Sequence, residues 1–407
     1  MEKPKIRFKS FEKRWESYRL SEYSNYRRGS FPQPYGNKEW YGGDNAMPFV
    51  QVVDVLENLR LVADTKQKIS TLAQPMSVFV PSDSVIVTLQ GSIGRVAITQ
   101  YDAYVDRTIL IFEDYNSQTN KEFWAYTIRN KFEIERQKAP GGTIKTITKE
   151  ALSDFKVSIP EYTEQSAIGS LFRILDDLLA SYKDNLASYQ SLKATMLSKM
   201  FLRAGQTVPE IRLDGFEGEW EELQLSDICQ KVTEKNKDNK SNETFTNSAE
   251  FGIINQRDFF EKDISNEKSL NTYYVVRNND FVYNPRISNY APVGPIKRNK
   301  LGRTGVMSPL YFVFRIIDSN IDLNFLETFF DTNTWHKFMK LNGDSGARAD
   351  RFAIKDSVFL TMPIAFPSLP EQQAIGAYFS NFDNLINSHQ EKISQLETLK
   401  KKLLQDM

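Results

Sequence analysis

The sequence is poor in the residues that usually carry chemistry. Its 407 residues include one cysteine, Cys229, and two histidines, His336 and His389. A lone cysteine excludes an intramolecular disulfide framework and a cysteine-based metal cluster. Neither histidine has the sequence neighbours of a catalytic triad or a zinc site. His336 follows Trp335 in an apolar-aromatic run and His389 falls on a helical apolar stripe, so both are expected to be packing residues. No stretch approaches twenty consecutive apolar residues, which argues against a membrane span. The N-terminal MEKPKIRFKSFEKRWES lacks the apolar core of a signal peptide, so a cytoplasmic location is expected. The formal net charge is +0, which by itself argues against an isolated nucleic-acid binder.

Motifs for nucleotide chemistry are absent too. There is no Gly-x4-Gly-Lys-Ser/Thr loop, and Gly91 and Gly94 do not form a dinucleotide-binding glycine pattern. Tyr283-Asn284-Pro285-Arg286 begins like the Asn-Pro-Pro-aromatic loop of amino-methyltransferases but lacks the second proline and the aromatic residue. No carboxylate-carboxylate-lysine cluster of a nuclease stands out. No catalytic residue, metal site or cofactor is therefore expected in this chain.

What the sequence does contain is itself, twice. Glu164-Gln165-Ser166-Ala167-Ile168-Gly169 recurs 207 residues later as Glu371-Gln372-Gln373-Ala374-Ile375-Gly376. The match runs on without a gap through Phe172/Phe379, Asp176/Asp383, Leu178/Leu385, Ser181/Ser388, Leu192/Leu399, Lys193/Lys400, Leu197/Leu404 and Met200/Met407. Apolar positions in the first copy are Ile168, Phe172, Leu175, Leu179, Tyr182, Leu186, Tyr189, Leu192 and Met196. In the second they are Ile375, Phe379, Phe382, Ile386, His389, Ile393, Leu396, Leu399 and Leu403. Steps of three and four alternate with a mean of 3.5, the period of a helix–helix seam rather than of a helix lying on a globular core. About forty residues at ~1.5 Å each make a rod of roughly 60 Å. Such a rod must bury its apolar seam, and the other copy is the natural partner; two helices each packed on its own domain is the alternative.

The front of each unit repeats as well. Residues 4–23 match 209–228 at an offset of 205, through Pro4/Pro209, Ile6/Ile211, Arg7/Arg212, Phe11/Phe216, Trp15/Trp220 and Leu20/Leu225. Between these anchors the two copies diverge. The expected division is a first domain over 1–163, a helix over 164–205, a second domain over 206–370 and a second helix over 371–407. Both domains read as mixed α+β. In the first, Ser84–Leu89, the turn Gly91-Ser92-Ile93-Gly94 and Val96–Thr99 suggest strand-turn-strand, and Phe123–Phe132 is spaced as a helix. In the second, Phe281-Val282-Tyr283 reads as a strand, Val306–Ile317 as a strand pair around Ser308-Pro309, and Leu323–Leu341 as helical.

One segment is unusual in its charge. From Phe281 to Arg315 no acidic residue occurs, whereas Arg286, Lys297, Arg298, Lys300, Arg303 and Arg315 do, interleaved with Tyr283, Asn284, Asn289 and Tyr290. Lysine and arginine neutralise phosphates, and arginine, asparagine and tyrosine can reach base edges. Arg348 and Arg351 follow in the same domain. The first domain offers weaker counterparts in Arg27, Arg28, Ser92, Arg95 and Lys145, with Lys149 beside it. The alternative for the basic segment is a solvated loop.

The repeated EQxAIG opening of a seam helix, each time after a domain ending in Ile159-Pro160 or Phe366-Pro367, resembles the specificity subunit of Type I restriction–modification enzymes. GFEGEWEE at 215–222, GSIGRVAI at 91–98 and PVGPIKRNKLGRTGV at 292–306 add to the resemblance, which covers essentially the whole chain. It implies two target-recognition domains, each reading one half of a split, asymmetric double-stranded DNA sequence, on two long helices that pair as an antiparallel coiled coil. It also implies partners. Two modification subunits would bring adenine methylation and S-adenosylmethionine, and restriction subunits would bring ATP, magnesium, translocation and cleavage. The competing class is a scaffold presenting two protein- or sugar-binding domains on a coiled coil, which would have no salt-dependent affinity for DNA.

Overall fold

A computed structural model describes residues 4–138, 152–237, 241–259, 267–344 and 350–406. The chain divides into two compact units, one formed by Met1–Asp184 with Gln390–Met407 and the other by Asn185–His389. None of the described helices is long and apolar enough to cross a membrane.

In the first unit, β1 (Glu16–Arg19) leads into a single helical turn, α1 (Leu20–Tyr23), and then β2 (Ser24–Arg28). Next come β3 (Met47–Val50), β4 (Gln67–Ile69), β5 (Val78–Val80), β6 (Val85–Thr88), β7 (Val96–Ile98), β8 (Ala103–Val105) and β9 (Ile109–Tyr115). Helix α2 (Lys121–Lys138) and strand β10 (Lys156–Ile159) complete the domain before the long helix α3 (Tyr162–Met200). One four-stranded sheet has the order β2-β9-β6-β7 and a second the order β4-β3-β8-β5. β6 and β7 form the expected hairpin, Val85 opposite Ile98 and Val87 opposite Val96.

The second unit repeats the frame. β11 (Glu221–Gln224), the turn α4 (Leu225–Ile228) and β12 (Cys229–Lys231) open it. β13 (Phe245–Ser248), β14 (Gly252–Asn255), β15 (Tyr274–Val276), β16 (Phe281–Tyr283), β17 (Ile296–Arg298), β18 (Gly305–Met307) and β19 (Phe312–Ile316) follow. After α5 (Leu323–Asp331) and α6 (His336–Asn342), β20 (Pro363–Phe366) precedes the last helix, α7 (Leu369–Asp406). Its four-stranded sheet, β12-β19-β16-β17, has the same order as β2-β9-β6-β7, but the rest differs: two-stranded pairs β13-β14 and β15-β18 stand in place of a second four-stranded sheet.

Two expectations need correction here. The Val306–Ile317 strands do not pair with each other, because the turn closed by Tyr311 N–H on Ser308 O at 3.1 Å sends them to different sheets. The Leu323–Leu341 helix is interrupted: Thr332 donates its hydroxyl to Phe329 O, and the chain restarts at His336. The two histidines are packing residues. His336 stacks edge-on against Trp335 with centroids 4.5 Å apart, and His389 against Tyr189 at 5.1 Å.

Contacts within each unit explain why the repeated letters repeat. Glu164 is fully buried and takes two hydrogen bonds from Arg7, at 2.7 and 2.6 Å; Glu371 takes the same fork from Arg212 at 2.8 and 2.7 Å. The unit's first residues are thereby tied to its long helix. Gln165 accepts from Asn120 N–H and donates to Pro160 O, each at 2.9 Å; Gln372 accepts from Asp322 N–H and donates to Pro367 O at the same distances. Asn120 and Asp322 in turn accept from Phe123 N–H and Phe325 N–H, capping α2 and α5. The glycines mark where the helices touch: a Cβ on Gly169 would lie 2.6 Å from Asn120 Oδ1, and one on Gly376 2.7 Å from Asp322 Oδ1 and 2.9 Å from Phe325 N. The repeated tryptophans complete the node, Trp15 edge-on to Phe123 and Trp220 edge-on to Phe325.

Gly376→Ala is accordingly expected to destabilise the second unit by roughly 1–2 kcal/mol. Up to about 1 kcal/mol of helix propensity gained is set against overpacking of up to about 3. Denaturant titration followed by hydrogen exchange in α5 and α7 would measure it. Unchanged protection would mean that the two helices can separate at no cost.

The long helices are antiparallel within each unit. In the first, Lys183 Nζ meets Glu397 at 2.6 Å and Lys400 pairs with Asp176; in the second, Lys193 pairs with Asp383 at 2.5 Å. Asp176/Asp383 and Lys193/Lys400 are themselves repeat positions, so one ion pair is built twice. Ile168, Phe172, Leu175, Leu179, Ile375, Phe379 and Phe382 are buried. Tyr182, Leu186, Tyr189, Ile386, His389, Ile393 and Leu396 are partly buried. The extrapolation beyond them fails, because Leu192 and Leu399 are 42% and 45% exposed. Lys193 and Lys400 take the inward place one residue later, and the stripe resumes at Met196, Leu197, Leu403 and Leu404. Burial pushes the Lys400 ammonium below its ordinary range, against the pull of Asp176.

Candidate nucleic-acid interface

The basic segment of the second unit folds onto β16, β17, β18 and β19, and most of its cations meet carboxylates from elsewhere in the chain. Lys297 donates to Asp331 at 2.7 Å, and Arg298 to Asn324 at 2.6 Å with Glu327 at 2.9 Å. Burial works against the charge on Lys297, yet Asp331, with Glu327 and Asp383 behind it, holds its ammonium above the usual lysine range. Arg315 forks onto Asp280 at 2.6 and 2.8 Å. Arg303 forks onto Glu243, whose carboxyl it holds below the usual range. Lys300 is 57% exposed, with Glu327 at 3.3 Å. The run of positive charge is therefore largely a set of structural ion pairs, and Lys297 and Arg298 hold β17 to α5.

Other expected site residues fall in several places. Arg286 is 70% exposed, with Asp350 3.8 Å away, and its backbone bridges to that of Arg351. Arg351 is half-buried and has no ion-pair partner among the described residues. In the first unit Arg27 pairs with Glu113 at 2.5 Å, whereas Arg28 is exposed without such a partner among the described residues. Ser92 is exposed in the β6–β7 turn, and Arg95 reaches Val55 O at 3.4 Å and Glu57 at 3.6 Å. Lys145 and Arg348 lie outside the described residues. Arg286 and Arg351 are brought together; Lys297, Arg298 and Arg315 are turned inward.

The two hairpins carrying these residues correspond. β6–β7 and β16–β17 occupy the same sheet positions, and each turn passes through a glycine at φ +84°, Gly94 or Gly294. At Gly294 a Cβ would stand 2.1 Å from Asn284 O, so only glycine closes the loop there. The turns differ in content: Gln90-Gly91-Ser92-Ile93 in one unit, and the longer Pro285–Val293 segment with Arg286, Asn289 and Tyr290 in the other. An open groove of about 760 Å³ lies beside the second hairpin, with Pro285, Leu310, Leu341 and Lys355 among its walls.

The family model described as "Type I restriction modification DNA specificity domain" matches twice, over residues 12–187 and 217–398. The MjaVIII Type I restriction enzyme specificity subunit of Methanocaldococcus jannaschii is 21% identical over 403 residues, 96% of this chain and 91% of that protein. The crystal structure of a Type I restriction–modification S subunit from M. genitalium superposes with a TM-score of 0.58 at 12% identity, covering 99% of this chain and 98% of that one. A chain from a structural study of complex assembly and conformational transition in the type I R-M system gives 0.54 at 16% identity, covering 96% and 97%.

Proposed function

The chain belongs to the Type I restriction modification DNA specificity family, and from that premise we propose that its two units read the two halves of one split, asymmetric DNA target. Specificity subunits are the recognition component of these systems, not the catalytic one. In this reading the chain directs partner subunits in the cytoplasm: two modification subunits that methylate adenine with S-adenosylmethionine, and restriction subunits that use ATP and magnesium.

The observation that carries this reading is that one frame holds two different contents. The Arg–Glu fork, the glutamine bridge, the glycine contact and the β2-β9-β6-β7 order all recur, while the remaining sheets and the hairpin tips do not. A duplicated frame fixes how each reader is held, and different tips give different base contacts, each worth about 1–3 kcal/mol of discrimination. Mapping methylated adenines in cells carrying this chain with its modification subunits tests the proposal. Two unlike half-sites separated by a fixed gap are expected, and a single continuous motif would refute it.

The charges divide into two groups with separable effects. Lys300→Ala and Arg28→Ala remove exposed cations and are expected to flatten log affinity against log salt by up to about one unit per lost phosphate contact. Lys297→Ala and Arg298→Ala take from Asp331 and Glu327 their nearest counter-charges, leaving Lys193 and Lys300 at 3.9 and 3.3 Å, and are expected to lower thermal stability before any DNA is added. Equal salt slopes for the Lys300 and Arg28 variants and the parent complex would remove both residues from the interface.

A further inference from the structure

Tyr290 is 81% exposed, the most exposed large apolar side chain among the described residues. The backbone on either side of it is pinned by hydrogen bonds. Ser288 and Ala291 exchange backbone hydrogen bonds, each of 3.1 Å, so Asn289 and Tyr290 form the tip of a two-residue turn. Ala291 and Val293 are buried beneath it. On the other side Ile287 N–H donates to Asp350 O at 3.0 Å, and Phe352 N–H to Pro285 O at 2.7 Å, stitching the loop to the Arg351 segment. The tip therefore presents an aromatic ring on a fixed base, with the Arg286 guanidinium on the same loop and, among the described residues, Asp350 alone opposing its charge at 3.8 Å.

We propose that the Ser288–Ala291 turn is the part of the second unit that enters the DNA, Tyr290 wedging its ring into a base step while Arg286 neutralises a neighbouring phosphate. This rests on the DNA-recognition reading above. An exposed aromatic next to an exposed arginine suits a polymer of flat rings and negative phosphates. The corresponding turn of the first unit has no aromatic residue, so the contact belongs to one half-site only.

The test uses the complex with its modification subunits and two duplexes, one carrying the sequence the parent complex methylates and one scrambled. A 2-aminopurine is placed in turn at each position of both half-sites. Tyr290→Ala should bind the target duplex ~10- to 100-fold more weakly, as expected for loss of one base-specific contact, and bind the scrambled duplex unchanged. A fluorescence change in one half-site should disappear, and Tyr290→Phe should behave as the parent. Arg286→Ala should weaken both duplexes alike and flatten the salt dependence. Parent-like target binding by Tyr290→Ala, or failure of that variant to assemble with the modification subunits, would overturn the proposal. If the parent complex itself does not prefer the target duplex, the DNA-recognition reading falls instead, whatever the variants do.

Discussion

Arg212→Ala should lower the stability of the second unit by about 3–5 kcal/mol, because it leaves a buried carboxylate without its counter-charge. Glu371 is 1% exposed, and both its oxygens are taken by the Arg212 guanidinium. The same guanidinium donates to the backbone oxygens of Gly218 at 2.6 Å and Glu217 at 2.9 Å, so its loss also frees the turn before β11. For a unit of about 200 residues the melting transition should fall by roughly 6–20 °C. Arg212→Lys keeps the charge but not the planar fork and should recover only part of the loss. Arg7→Ala should act alike on the first unit, because the Arg7–Glu164 fork has the same geometry. Hydrogen exchange resolves the units. Protection should fall across β11, β20 and the start of α7, and persist in the first unit. Full protection at the start of α7 would show that the fork is dispensable.

Much of the frame was legible in the sequence because a duplication marks its own anchors. EQxAIG could be read as a helix opening, but not what each letter does. Arg7 lies 157 residues from Glu164, and Asn120 lies 45 from Gln165, separations that no local pattern spans. The 3.5 period marked a stripe that is buried or partly buried as far as Tyr189 and Leu396, although its first positions, Ile168, Phe172 and Leu175 with Ile375, Phe379 and Phe382, pack into the cores of their own domains. It then assigned Leu192 and Leu399 inward, whereas the inward places belong to Lys193 and Lys400. A lysine whose stem is buried and whose head meets an aspartate looks polar in sequence and apolar in packing. The basic segment misled for a related reason: a stretch without acids says nothing about acids that the fold brings to it. Glu327, Asp331 and Glu243 come from outside the segment and neutralise what seemed a free patch. Tyr290 was visible as one of the interleaved residues, but only its exposure separates it from Tyr283, which is buried with its hydroxyl on Val293 O.

The fragment 205–407 should fold only as a dimer. It contains the second domain and α7 but lacks Asn185–Met200, the part of α3 that belongs to the second unit. In the full chain that segment gives the second unit Met200, 1% exposed, the half-buried Tyr189, Met196 and Leu197, and Lys193, the partner of Asp383. The repeat supplies a replacement within the fragment itself, since Leu396, Lys400, Leu403, Leu404 and Met407 stand 207 residues after Tyr189, Lys193, Met196, Leu197 and Met200. A second copy can therefore lend its C-terminal segment, with its Lys400 meeting Asp383, and receive the same in return, which closes with two-fold symmetry. Phe201 has no equivalent in the exchange, and its contacts with Phe325 and Phe379, at 5.3 and 6.1 Å, would be lost, so the dimer should be less stable than the full chain. Lys400→Glu would set two carboxylates face to face and should dissociate it. The fragment 185–407 carries its own complement and should remain a monomer at the same concentration. Light scattering at micromolar concentration decides the matter: a folded, monomeric 205–407 would mean that the second domain does not need the antiparallel segment.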